Sequence, residues 1–460
     1  MVSEMRGPAA GAAVATGAPR LIRSDLAELL HLAGPVVAAR VGVMTMGLTD
    51  ALVVGRYSAV QLGYQALGWA LVSVVVVTAM GLLTGVQVMA SRAIGEGRPR
   101  DAGATLRRGL GYGLWIGLGA SALLIVGGPM FLHAGWISRS LADGATGPLI
   151  VLSLSLPGFT LSVAAGSWLE GLGRPRPVMV FMWIANIVNL AVNLILVPGR
   201  LGLPALGASG AAWATFSSRS LLTGATLIYI AVMPDARALG VFDKPARDRV
   251  RETAQRRIGC GAGASNFFEV AAFASMTMIA GSISALVVAA YTVVLNVVSF
   301  VFMVPLGLAT ATAVMVARAY GASRPAALNR AAVIGFAVTL VFGVAAALVV
   351  WPSAGAIASS YTSDPATVAM AAGGLVLACL FLIPDALQVV AAQSLRARAD
   401  VLVPSLTHLM SYALVMVPLG WTLAIAAHLG VAGIIWAIIA ASFLSAGLLL
   451  GRFWMLARRD

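Results

Sequence analysis

Met89–Pro99 reads MASRAIGEGRP, and Met315–Pro325 reads MVARAYGASRP. Met, Arg-Ala, Gly and Arg-Pro recur at one spacing, 226 residues apart, each time at the end of a long apolar run. The echo is not confined to this turn. LGASGAAWA (Leu206–Ala214) returns as LGVAGIIWA (Leu429–Ala437), and Ser58-Ala59 returns as Ser284-Ala285. Pro157, Ala164, Ala165 and Ser167 return as Pro384, Ala391, Ala392 and Ser394. Four matches in chain order at nearly one offset are the mark of a duplicated unit. The repeated turn itself reads as a basic loop with a helix stop, anchoring each copy at one face.

Composition says what the unit is made for. Of 460 residues, 60% are hydrophobic and 10% charged, with a mean hydropathy of +0.94. A soluble domain carries about 25% charged residues, so this chain cannot solvate its own surface in water. It suits a bilayer, which a helix crosses with roughly 20 apolar residues. Twelve such segments are expected, near 30–54, 64–90, 109–134, 147–170, 177–198, 207–233, 258–283, 286–317, 330–352, 367–395, 402–427 and 430–455. Gly and Pro within them do not argue against bilayer helices. The fold class predicted is all-α integral membrane: twelve helices in two pseudo-symmetric six-helix lobes. An even number of spans per copy inserts both the same way up, giving parallel repeats about an axis along the membrane normal. The expected domains are a tail (1–28), an N-lobe (29–233), a polar linker (234–257) and a C-lobe with its own tail (258–460). Residues 1–24, rich in Ala, Gly and Pro, lack the unbroken apolar core of a signal peptide and read as a disordered tail.

The formal charge of +13 is a matter of topology. Of 30 basic residues, 25 fall in the termini, the linker and the loops after even-numbered segments, against Arg56, Arg139 and Arg200 on the other side. The positive-inside bias therefore places both termini in the cytoplasm, and no nucleic-acid partner is expected. Cys260 and Cys379 both lie in apolar runs, so no disulfide framework is expected. Lys244 is the sole lysine and its context excludes a nucleotide P-loop; G-x-S-x-G and H-E-x-x-H are absent too. His31, His133, His408 and His428 are scattered and form no metal-ligand spacing. No cofactor is expected beyond a coupling ion, Na+ or H+.

Ionisable residues inside a bilayer are costly, so function is sought there. Arg40, Asp50, Arg219, Glu269 and Asp385 fall inside segments. Glu170, at the end of the fourth, reads as solvated. Glu269 in SNFFEVAAF and Asp385 in FLIPDALQVV belong to the second copy, and their first-copy counterparts are Gly158 for Asp385 and, roughly, Val43 for Glu269. The bundle can therefore be built without them. Two carboxylates out of water repel and lack solvation, so a proton or Na+ is held there readily and released when an organic cation arrives. Glu269 and Asp385 are the candidate Na+ ligands if Na+ is the coupling ion. Asp50 in MGLTDALVVG is a third candidate, or else a polar partner of Arg40 or Arg219, which read as paired structural charges. Asn186, Asn189 and Asn193 either line a cavity or bond helix to helix.

The stretches MGLTDALVVGRYSA, GVQVMASRAIGEGR, LGLPALGASGAAWAT, NFFEVAAFASM, VLNVVSFVFMVPLGLATATAVMVARAYGA and IPDALQVVAAQSLRAR together resemble the multidrug and toxic compound extrusion (MATE) transporters, in their NorM-like branch. The resemblance covers essentially all of 25–457. It implies two six-helix lobes about a V-shaped cleft and export of organic cations in exchange for Na+ or H+, by an inner- or plasma-membrane protein that is not an enzyme; two repeats in one chain already supply a moving interface, so function as a monomer is expected. It implies coupling roles for Glu269, Asp385 and Asp50, and a substrate cavity lined by Asn189, Asn193, Phe267, Phe268, Tyr291, Asn296 and Phe300. Tyr291 stands where relatives often carry His, and Arg40 and Arg219 depart from the pattern. Two other readings stay open. A flippase of lipid-linked glycans or peptides would favour a cationic cleft, which Arg40 and Arg219 would serve. An intramembrane enzyme would need polar loops, whereas the outer loops here are short and poor in His, Asp and Glu.

Overall fold

The computed structural model describes residues 11–135, 138–244 and 248–459, all helical or in turns, with no strand among the described residues. The first unit runs α1 (Gly11–Tyr57), α2 (Ala59–Gly95), α3 (Pro99–Leu132), α4 (Arg139–Leu154), α5 (Leu156–Gly171), α6 (Arg176–Leu196) and α7 (Ala208–Val232). The second runs α8 (Arg249–Ile283), α9 (Ala285–Gly321), α10 (Pro325–Tyr361), α11 (Pro365–Ala397), a segment from Leu402 to Ala426, and α14 (Gly430–Ala457). That segment is α12 (Leu402–His408), a π-helical stretch (Leu409–Met416), α13 (Val417–Trp421) and a second π-helical stretch (Thr422–Ala426). Ten of these stretches are long and apolar enough to cross a membrane, and α4 with α5, bent by 40° at Ser155, makes an eleventh. The twelfth, α7, has 25 residues but carries Arg219 and a run of Ser and Thr that lowers its hydropathy. The all-helical architecture of two six-span units is as read from the sequence.

The duplication shows in the turns. α2 and α9 are both 37 residues long. Each starts on a serine, Ser58 or Ser284, whose hydroxyl accepts from the backbone N–H three residues on, satisfying one of the free donors of a first helical turn. Each ends in a turn with positive φ, Gly97 at 69° and Ser323 at 53°, closed by equivalent carbonyls of Arg92, Ala93, Ile94 and of Arg318, Ala319, Tyr320. Pro99 and Pro325 then open the next helix, where a missing N–H costs nothing. The turns after α5 and α11 also match, with Gly173 at 76° and Ala399 at 71°. The first copy uses glycine at both positions, and the second bears the left-handed strain of a Cβ, roughly 1 kcal/mol each.

The lobes meet where α2 crosses α8 and α1 crosses α9. A Cβ on Gly81 would stand 2.7 Å from the Ala262 carbonyl, and one on Gly307 would stand 3.0 Å from the Val37 nitrogen. Small residues let these backbones approach, which is how helices pack where lipid offers no hydrophobic drive. Within the N-lobe, fully buried Trp168 donates its indole N–H to the Ala102 carbonyl at 2.7 Å. Tyr412, Phe381 and Tyr291 fill the C-lobe.

One expectation is corrected. Residues 1–10 lie outside the described residues, but 11–24, expected to be disordered, form the start of α1. Their alanines favour helix, and the following turn is tied down by Asp25 with Arg330 and by Glu28 with Arg318 at 3.1 Å. Within the polar linker 234–257, Arg249 onward is already α8, and Leu239 accepts from the Gly103 N–H at 2.9 Å.

Candidate functional site

Glu269 sits twenty residues into the 35-residue α8, about 30 Å along its axis at 1.5 Å per residue. Asp385 follows Pro384 inside α11, where the ring removes one helical N–H and leaves a carbonyl unpaid by the helix. The span after α11 supplies the rest. Its helix widens to π geometry over Leu409–Met416, a form that recurs at functional sites, and the fully buried Tyr412 of that stretch donates its hydroxyl to Asp385 Oδ1 at 3.3 Å. One turn earlier, His408 packs edge-on to Tyr412 with ring centroids 5.4 Å apart. His408 Nδ1 lies 3.8 Å from Glu269 Oε2, an electrostatic contact rather than a hydrogen bond.

Glu269 feels the charges of both Asp385 and Arg396. The Glu269 side chain retains 19% exposure while Asp385 is 5% exposed, so one acid is reachable and the other is enclosed. Near them the buried Arg396 Nε makes no hydrogen bond within the protein, and the Gln388 amide lies beside Asp385. Buried polar groups are normally paired, so this cluster has the donors and acceptors to serve a small cation, a proton or water.

Asp50 is not part of this cluster. It sits in the N-lobe, 7% exposed, and its Oδ1 accepts from the amides of Asn189 at 2.9 Å and Asn193 at 2.7 Å, while Oδ2 accepts from the Thr215 hydroxyl at 2.5 Å. Thus α1, α6 and α7 are joined through one carboxylate. Asn186 donates to the Gly42 carbonyl at 3.0 Å. Of the two readings of the asparagines, helix-to-helix bonding is the observed one. Asn189 and Asn193 are completely buried, so they do not line an open cavity in this conformation as expected, because Asp50 engages them. Tyr291, also expected there, is 1% exposed and packs into the C-lobe core. Phe267 and Phe300 are exposed, as is Asn296, which shares one face of α9 with Phe300; Phe267 stacks edge-on with the half-buried Phe268 at 5.9 Å.

Glu170 is corrected: it is 6% exposed rather than solvated, and lies 3.7 Å from Arg40. Arg219 donates to the Ser155 hydroxyl at 2.7 Å and lies over the Phe159 ring at 4.8 Å, within the field of Asp50. Arg40 is thus paired with a charge as read, whereas Arg219 is held by a neutral hydroxyl and an aromatic ring and makes no ion pair among the described residues. His408, Tyr412 and Arg396 were not singled out in the sequence. The one signal was the His-Leu-Met-Ser-Tyr spacing, which places two polar rings on one face of an apolar span. Outside the spans, Arg174 grips Asp235 with two bonds of 2.9 and 2.7 Å, which holds that carboxyl below its ordinary range.

The MatE family model matches the chain twice, over residues 35–195 and 262–422. A probable multidrug resistance protein NorM of Caulobacter vibrioides is 59% identical, over 100% of this chain and 98% of its own length. The multidrug resistance protein PmpM of Pseudomonas aeruginosa is 30% identical, over 87% of this chain and 84% of its own. Among solved structures, the eukaryotic MATE transporter AtDTX14 superposes with a TM-score of 0.87 at 18% identity, covering 95% of this chain and 98% of that one.

Proposed function

The chain belongs to the MatE family, and from that premise we propose that it is a multidrug efflux transporter, a secondary antiporter that exports organic cations in exchange for Na+ or H+ by alternating access. The observation that carries this reading is the placement of the enclosed Asp385 and the partly exposed Glu269 beside Tyr412 and His408. Two acids with few fixed countercharges hold a cation well and cannot hold two unrelated cations at once, so the ion and the substrate exclude one another. Glu269, the more exposed acid, meets the substrate side, and Asp385 retains the ion. The N-lobe acid Asp50, in its cage of three donors, serves as a second proton-handling site. Phe267, Asn296 and Phe300 offer apolar and polar contact to amphipathic cations.

The basic residues of the loops support an orientation with both termini cytoplasmic, in the inner or plasma membrane. Two repeats in one chain supply the moving interface, which supports function as a monomer. The flippase alternative has less support, because Arg40 and Arg219 already face Glu170 and Ser155 rather than standing free for an anionic headgroup. The test is transport of ethidium by purified protein in liposomes under an imposed Na+ gradient or an imposed pH gradient, each alone. Uptake driven by one gradient and not by its absence supports antiport. Equal flux with no gradient refutes it.

A further inference from the structure

The repeated turn carries a second arginine besides the one before proline: Arg92 in the first copy and Arg318 in the second. Both side chains leave their own lobe. Arg92, on α2, is 8% exposed and donates to the carbonyls of Ala397 at 2.8 and 3.1 Å and of Arg396 at 3.2 Å, at the end of α11. Its guanidinium also lies 4.7 Å above the Tyr320 ring of α9. Arg318, on α9, pairs with Glu28 of α1 at 3.1 Å and lies against Gly173, where a Cβ would stand 3.2 Å from its guanidinium carbon. Gly173 and the Ala397–Ala399 corner are the matching turns of the two copies, so each arginine reaches the same place in the opposite lobe. Between them α2 and α9 touch backbone to backbone: a Cβ on Gly95 would strike the Arg318 carbonyl and one on Gly321 the Arg92 carbonyl. Gln87 adds a bond from α2 to the Thr310 carbonyl at 3.0 Å. Two ion pairs cross the same seam, Arg330 with Asp25 and Arg251 with Asp101.

We propose that Arg92 and Arg318 are a two-fold pair of latches that hold the cytoplasmic ends of the lobes together in this conformation, and that their release opens the cleft to the cytoplasm for loading. A helix C-terminus offers unpaired carbonyls, and a guanidinium forks onto them with charge-assisted bonds. Such bonds are strong when made and leave a buried charge when broken, which makes the seam two-state rather than gradual. Arg318 borders a cavity of about 370 Å³ formed with Glu28, Asp25, Met315 and Arg330, which gives it room to swing away. The duplication thus places one latch in each copy by the same sequence.

This proposal rests on the alternating-access reading, and its test needs no ion gradient, so the two can fail separately. Cys260 and Cys379 are replaced by Ser, and spin labels are placed at Arg100→Cys and Ala326→Cys, exposed and matching positions at the starts of α3 and α10. Their separation is measured in lipid nanodiscs by pulsed electron resonance. The intact latch should give one short distance. Arg92→Ala with Arg318→Ala should raise a longer-distance population about tenfold or more, the range for losing charged hydrogen bonds. Glu28→Gln should reproduce the effect of Arg318→Ala alone. An unchanged distribution in the folded double variant overturns the proposal. If that variant does not fold, unchanged distances in both Glu28→Gln and Arg318→Ala overturn it equally.

Discussion

Replacing Asp50 tests how the N-lobe is joined, and the cost follows from counting fallbacks. In Asp50→Leu three donors lose a carboxylate. Thr215 can turn its hydroxyl onto the carbonyl one turn back, as Thr223 does to Arg219 at 2.7 Å. Asn193 keeps the backbone and side-chain oxygens of Asn189 at 3.0 and 3.2 Å. Only the Asn189 amide loses its one acceptor. An orphaned buried donor costs about 1–3 kcal/mol, and downgrading two charge-assisted bonds to neutral ones costs about 1 kcal/mol each. The sum is roughly 3–5 kcal/mol, before a partial offset from relieving the burial of a charge. At about 2–4 °C per kcal/mol for a unit of this size, the melting temperature should fall on the order of 10 °C. Asp50→Asn retains an oxygen for both asparagines and turns its amide to Thr215, so its loss should be about 1–2 kcal/mol. Thermal unfolding followed by tryptophan fluorescence in detergent gives both values. Asp50→Leu combined with Asn189→Leu should recover part of the loss, because the orphan is gone. If Asp50→Leu melts at or above the parent temperature, the cage does not hold α1, α6 and α7 together.

Further outcomes are expected. Single cysteines at Lys244 and Ser363, both exposed, should react with an impermeant maleimide from opposite faces of sealed vesicles, and reaction from the same face contradicts the twelve-span arrangement. His133, at the end of α3, bonds Asp143 at 2.8 Å, which raises its imidazole above the ordinary 6.5. The sign follows: that contact contributes fully below 6.5 and is lost as pH rises through the higher folded midpoint. An NMR titration of His133 should therefore show a midpoint that drops in Asp143→Asn, and an equal midpoint in both proteins counts against the bond.

Much of this was open to reading because duplication and bilayer burial leave marks in single residues. Ser58 and Ser284 cap equivalent helices, and the two Arg-Pro turns close with the same carbonyls. Long apolar runs fixed the number of spans, since few other structures satisfy their backbone in lipid. Glu269 and Asp385 stood out because a charge in an apolar run is rare. Partners were harder. His408 looked isolated because its neighbour Glu269 lies 139 positions earlier, and only packing brings them within 3.8 Å. Glu170 looked solvated because helix ends usually are, yet packing buries it and Arg40 of α1 comes alongside. The asparagines of α6 could serve a cavity or a partner helix, and nothing in their spacing foretold that Asp50 would take two of them. The break at Ser155 and the π-helical widening at Tyr412 depend on how neighbouring helices fill space, which local propensity does not record.

The central claim is that the carboxylates of the C-lobe link ion entry to substrate exit, and Glu269→Gln probes it most directly. The amide keeps size and hydrogen bonding and removes the charge. Folding should survive, since removing a midplane charge relieves an insertion cost of about 2.5–3.5 kcal/mol. Gradient-driven efflux of ethidium from liposomes containing equal amounts of each protein is the measurement, with dye binding recorded on the same preparations. The account requires that Glu269→Gln binds the dye but responds to neither an imposed Na+ gradient nor an imposed pH gradient. Efflux at the unmodified rate, at equal abundance, would show that Glu269 only builds the bundle and that the coupling lies elsewhere.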